Sequence, residues 1–166
     1  MPHSEYRDIK PHPGERAVPS IKIDASKLLG LLLRAELMMT AVDRRRYCDR
    51  AIAALLDVIR DFQIAHDFED ERIHYLKKMW GDIAVLLDLM RTIGEVNAIR
   101  IQPKYETATP DQMKLEIFNC VASLDEGATK WKNSILRGTR ARSAPQGDTD
   151  SLSKNKGGPA GGDPAS

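Results

Sequence analysis

The chain has 166 residues, with 25 lysines and arginines set against 24 aspartates and glutamates for a net charge of +1. This length suits one domain with a real core and is short for two, and a near-neutral sum argues neither for nor against a nucleic-acid partner. Only 5% of the residues are aromatic within a hydrophobic fraction of 42%, and the apolar residues are mostly Leu, Ile, Met, Val and Ala, which favour helices over strands. No stretch reaches the roughly eighteen apolar residues of a membrane span, and MPHSEYRDIKPHPGER lacks the apolar run of a secretory signal. A cytoplasmic all-α protein is expected.

Residues 1–21 carry Pro2, Pro11, Pro13, Gly14 and Pro19 with balanced charge and read as a flexible arm. The first helix is expected from an N-cap at Asp24 to about Val42, with Ala25, Leu28, Leu29, Leu32, Ala35 and Met39 at intervals of three and four. It is apolar nearly all round. The second, from Arg44 to His66, places Cys48, Ile52, Leu55, Leu56, Ile59 and Phe62 on one stripe and keeps Arg46, Arg50, Asp57, Arg60 and Asp61 mostly away from it.

The third, from Glu69 to Ile99, alternates Ile73, Leu76, Trp80, Ile83, Leu87, Met90, Gly94 and Asn97, the spacing of a bundle seam. A second set at Met79, Leu86 and Ile93 widens its apolar face, so this helix is expected to touch more than one neighbour and to support self-association. The fourth starts at Thr109-Pro110-Asp111-Gln112, where Thr caps, Pro occupies the first helical position and Gln reaches back to the cap. Its stripe of Ile117, Cys120, Val121, Leu124, Ala128, Trp131 and Ile135 runs to about Arg137.

Short breaks near Val42 and Asp67 force antiparallel neighbours, and residues 100–108 supply a longer link. The expected fold is an antiparallel up-down-up-down four-helix bundle over residues 22–138. From 139 to 166 the chain is Gly, Ser, Pro, Asp and Lys with Leu152 its one large apolar residue, and it reads as a disordered tail.

Residues for catalysis are sparse. Helical-bundle metal sites repeat Glu-x-x-His on separate helices, whereas here only Glu71-x-x-His74 fits, and the acids around His66, Asp67, Glu69 and Asp70 suit a helix start. His3 and His12 lie in the arm, and Gly30, Gly81, Gly94 and Gly127 are isolated, with no phosphate-cradling loop. Cys48 and Cys120 sit on apolar stripes, where cysteine behaves as a small hydrophobe. No enzyme activity, cofactor or metal is expected.

Charge distribution is more informative. Arg44, Arg45 and Arg46 form one basic run at a helix start, where relief of the helix dipole does not explain them; Lys130, Lys132, Arg137, Arg140 and Arg142 form another with no acid among them. Both suit phosphate binding, the second equally suits relief of a helix C-terminal dipole, and the two runs are expected to merge at one end of the bundle.

The helix order, the segment LLDLMRTIGEVNAIRI at 86–101 with Arg91, the proline-containing link and the last helix through LDEGATKWKNSIL with Trp131 and a basic end together resemble a known family. This is the accessory variability determinant (Avd) family of diversity-generating retroelements, within the broader four-helix family encoded by intervening sequences of bacterial ribosomal RNA genes. The resemblance spans roughly residues 22–140. It implies a homopentameric, non-catalytic protein that binds the element's reverse transcriptase and its template RNA, or RNA/DNA, in support of mutagenic copying. Carried over, the eight basic positions become RNA or polymerase contacts, and Arg91 and Trp131 become bundle or subunit contacts. This chain departs from the family by its near-neutral charge, which implies a more localised footprint. An oligomeric helical scaffold or adaptor without nucleic acid is the alternative, and a metal-binding bundle at Glu71 and His74 a third reading.

Overall fold

The structure is a computed structural model that describes residues 17–143, with side chains from Ser20 to Arg142. Helix α1, Ala17–Ala35, buries Ile21, Ala25, Leu28, Leu31, Leu32 and Ala35 at helical spacing. It begins seven residues before the expected Asp24, because Pro19 falls in the first turn, where a missing N–H removes no helical hydrogen bond. Asp24 instead accepts from Ser20 Oγ at 3.3 Å and from Ser123 Oγ at 2.7 Å. A 3-10 turn, Glu36–Met38, ends the segment with Met38 and Met39 buried.

Thr40 then caps the next helix, its hydroxyl accepting from Asp43 N at 3.2 Å. Helix α2 occupies residues 41–67: it opens with Ala41–Asp43, passes through a π turn at Arg44–Cys48 and continues as Asp49–Asp67. Its buried face is Cys48, Ala51, Ala54, Leu55, Val58, Asp61, Phe62 and Ala65. Leu56, expected inside, is half exposed, and Asp61, expected outside, is 0% exposed. At the end of α2, Arg72 donates to the carbonyls of Ala65 and His66, satisfying acceptors the helix itself leaves open.

Helix α3, Arg72–Glu95, buries Leu76, Met79, Ile83, Leu86, Met90 and Ile93 in strict three-four alternation. The seam is therefore rotated from the expected one. Met79, Leu86 and Ile93 belong to its centre, while Ile73, Trp80, Leu87 and Gly94 flank it and Asn97 is exposed. Helix α3 closes through Asn97 at φ 50° and the Ala98 N to Ile93 O bond of 3.0 Å, a left-handed cap that asparagine tolerates.

The link to the last helix is tied down at its start. Arg100 N and Ile101 N both donate to Met38 O at 3.0 Å, and the Arg100 guanidinium meets Asp43 at 2.9 Å. Glu106 is gripped by Arg34 through two bonds, of 2.6 and 3.0 Å. Helix α4, Pro110–Ser143, opens with the expected reciprocal box: Gln112 N donates to Thr109 Oγ1 at 3.2 Å and Gln112 Oε1 accepts from Thr109 N at 2.9 Å. It extends past the expected boundary at 138; the rest of the arm and tail assignments lie outside the described residues.

The architecture is all-α, with four long helices and no strand among the described residues. Helix α2 packs most extensively on α3, and α1 on α4. Along the second pair, Asp24 meets Cys120 and Ser123, Ile21 borders Gly127, and Arg34 reaches Glu106. Between α3 and α4, Phe118 lies beside Gly94, Lys132 beside Trp80, and Thr139 with Ile73 lines one cavity. Phe62 and Trp131 close the core between α2 and α4, ring centroids 5.1 Å apart. No helix among the described residues is long and apolar enough to cross a membrane.

Candidate nucleic-acid interface

The π turn at Arg44–Cys48 decides how the first basic run is presented. A π turn inserts one extra residue into the helical phase, and here it delivers Cys48 into the core while leaving Arg45 and Arg46 exposed. Neither makes an ion pair or hydrogen bond with the described residues. Arg44 is half-buried, with its Nε enclosed and lacking an acceptor. The nearby acid Asp43 is engaged by Arg100 at 2.9 Å and by the Thr40 hydroxyl at 2.9 Å, so it does not neutralise the neighbouring arginines at close range.

The same end of the molecule carries the 100–108 link, because Arg100 and Ile101 are stitched to Met38 just before α2. On this link Tyr105 is 90% exposed, with Lys104 Nζ 5.7 Å from its ring centre. The tyrosine is presented on a braced loop: Gln102 Nε2 donates to the carbonyls of Glu106 and Ala108, and Arg34 clamps Glu106. A base can stack on a ring held this way while cations take the adjoining phosphates. Sequence reading passed over Lys104 and Tyr105. The available signal was a bare aromatic between proline and charges in a polar link, where no core exists to bury it.

The second basic run lies elsewhere. Arg142 meets Glu69 at 3.2 Å, which places the end of α4 beside the turn between α2 and α3. The π turn lies at the other end of α2, roughly 30 Å away at 1.5 Å per residue. The expected single basic end is thus replaced by two separate ones: in a bundle with short links, the start of α2 shares its end with the start of α4, not its finish.

Within the second run the cations are more engaged. Lys130 pairs with Glu126 at 2.6 Å, Lys132 Nζ lies 3.0 Å over the Trp80 ring, and Arg142 holds Glu69. Arg137 is exposed without an ion pair among the described residues, and Arg140 is exposed. A cavity of about 260 Å³ lies at this end, lined in part by Glu69, Arg72, Thr139 and Arg142.

Of the two residues singled out by resemblance, Trp131 is 6% exposed and packs on Phe62, a bundle contact within the chain. Arg91 faces outward and, among the described residues, pairs with Asp88 at 3.3 Å on its own helix. Glu71 and His74 are exposed, the imidazole edge-on to Tyr75, and among the described residues no group of three His, Cys, Asp or Glu side chains is placed to hold a metal ion. Cys48 and Cys120 are free, buried thiols donating to the carbonyls of Leu32 and Asp24. Burial, with Glu36 and Asp49 nearby, pushes the Cys48 thiol up to about 12, and burial raises Cys120 as well. Neither is disposed to act as a nucleophile near neutral pH.

No protein-family model, curated protein or solved structure matches this chain.

Proposed function

We propose that this chain is a non-enzymatic, cytoplasmic accessory protein, an up-down-up-down four-helix bundle that binds a reverse transcriptase and its template RNA to support mutagenic copying. The family resemblance suggests those partners. The observation that carries nucleic-acid binding is the presentation of Arg45 and Arg46, exposed and unneutralised, at the end of the bundle that also displays Lys104 and Tyr105. Phosphates would take the arginines, and an unpaired base the tyrosine.

The protein acts as a homo-oligomer in this reading, with five copies by resemblance. Ile23, Leu33 and Leu37 on and just after α1, and Leu115 and Phe118 on α4, remain substantially exposed, and a partner subunit would remove that apolar surface from water. The same surface also serves the alternative, an oligomeric scaffold or adaptor with no nucleic-acid role. Two measurements separate them. Sedimentation at micromolar concentration should find an oligomer, and a mobility-shift titration should find structured RNA bound at low ionic strength and released as salt rises. Oligomerisation with no binding to RNA or reverse transcriptase at low salt would establish the scaffold reading instead.

A further inference from the structure

Among the described residues Asp61 is the one charged residue that is buried, at 0% exposure on the core side of α2. Its Oδ1 receives two nitrogens of Arg60, each at 2.9 Å. Its Oδ2 is enclosed and meets no donor. A buried acceptor without a partner is costly to keep, so the group that faces it matters. The carboxyl of Asp82, on the neighbouring helix α3, interacts with that of Asp61.

Two neighbouring carboxylates cannot both be charged without repulsion; a proton shared between them turns the repulsion into a hydrogen bond. We propose that Asp61 and Asp82 form a proton-sharing pair that joins α2 to α3, with Asp82 Oδ–H donating to Asp61 Oδ2, so that the helix contact loosens when this proton is lost. The proton belongs on Asp82 because Arg60 already engages Asp61, whereas Asp82 has no ion-pair partner among the described residues. Burial, followed by the charges of Asp61 and Asp57, holds Asp82 above the ordinary aspartate range, against the opposing pull of Arg60.

The charged groups facing Asp82 from α2 are Asp57, Asp61 and Arg60. Asp57 itself meets Arg60 NH1 at 2.9 Å. On α3, Lys78 is drawn to the Tyr75 ring, 5.0 Å from its centre. Helix α4 meets α3 on its other flank, at Trp80 and Gly94. The sign follows from linkage: the folded state holds this proton more tightly than the unfolded chain, so stability declines as pH rises from the ordinary aspartate range through the raised one, then levels off.

The test compares urea midpoints of the full chain and of Asp82→Asn between pH 4.5 and 8. The amide donates to Asp61 Oδ2 at every pH, so the variant should exceed wild type at pH 8, and their difference should shrink as the pH falls. A variant equal to or weaker than wild type at pH 8, or a difference independent of pH, would overturn the proposal. The carboxyl carbon of Asp82 in wild type, followed by NMR, should titrate above the ordinary aspartate range and would overturn the proposal by titrating at or below it. If millimolar magnesium or calcium raises the wild-type midpoint at pH 8 but not that of Asp82→Asn, the pair holds a cation rather than a proton, and the proposal fails.

Discussion

Replacing Trp131 with alanine tests how the bundle closes. The indole is 6% exposed and packs against Phe62, itself 5% exposed, at a centroid separation of 5.1 Å and an interplanar angle of 59°. Burying roughly 200 Å² of indole at about 25 cal/mol per Å² gives about 5 kcal/mol of transfer free energy, an upper figure because the unfolded chain already hides part of it. Large aromatic to alanine changes in cores cost about 3 to 5 kcal/mol, so Trp131→Ala should remove a large share of a typical domain's stability. The tilted ring pair should add a coupling of about 0.5 to 1.5 kcal/mol with Phe62→Ala in a double-mutant cycle. Urea unfolding followed by circular dichroism supplies all four corners. A loss under about 1 kcal/mol, or one that appears only at concentrations where subunits associate, would show that Trp131 serves a subunit contact and that the α2 to α4 packing is wrong.

Other expectations follow from single contacts. A Cβ at Gly30 or Gly81 meets nothing within 4 Å, whereas at Gly127 it comes 3.3 Å from Ile21 Cγ1; thermal melts should show Gly30→Ala and Gly81→Ala gaining up to about 1 kcal/mol and Gly127→Ala gaining less or losing. The Arg34 guanidinium, with the Ala108 amide, depresses Glu106 from its ordinary 4.5 to about 2. The stability this provides is full above the ordinary value and should be lost as pH falls through about 2, so Glu106→Gln should flatten the acid limb of the stability profile between pH 5 and 2. Cys48 and Cys120 should resist a thiol reagent at pH 8 in the folded protein and react once urea unfolds it; rapid native labelling would contradict their burial.

What the sequence revealed was mostly what local chemistry decides. The Thr109 to Gln112 box marks the start of α4 because both partners of each hydrogen bond lie within four residues. The start of α1 was misplaced because Pro19 signals a break only in a helix interior, and sequence alone did not say that it stood in the first turn. The seam of α3 was misphased for a different reason. Two apolar sets one residue apart both satisfy three-four spacing, and only the packing of α2 on one flank and α4 on the other selects Leu76, Met79, Ile83, Leu86, Met90 and Ile93. Asp61 was assigned to the surface because a carboxylate is normally solvated; its burial comes from the packing of α2 on α3, which a local pattern does not encode. The basic runs were identified correctly as runs, but their positions depend on the order in which the helices turn, which set them at opposite ends.

The proposed binding of nucleic acid at the end displaying Arg45 and Arg46 is tested most directly by the salt dependence of affinity. Binding of structured RNA by wild type should fall with a log-log slope of roughly 0.7 to 0.9 per phosphate contact. The double variant Arg45→Ala/Arg46→Ala should lower that slope by about 1.5 and weaken all sequences alike, because phosphate contacts carry no base identity. Its melting curve should stay close to wild type, since neither side chain makes an ion pair with the described residues and exposed charges contribute about 1 kcal/mol or less. Lys130→Ala, at the opposite end and already paired with Glu126, should leave the slope nearly unchanged. A wild-type affinity indifferent to salt, or a double variant that binds RNA with the wild-type affinity and slope, would contradict the account.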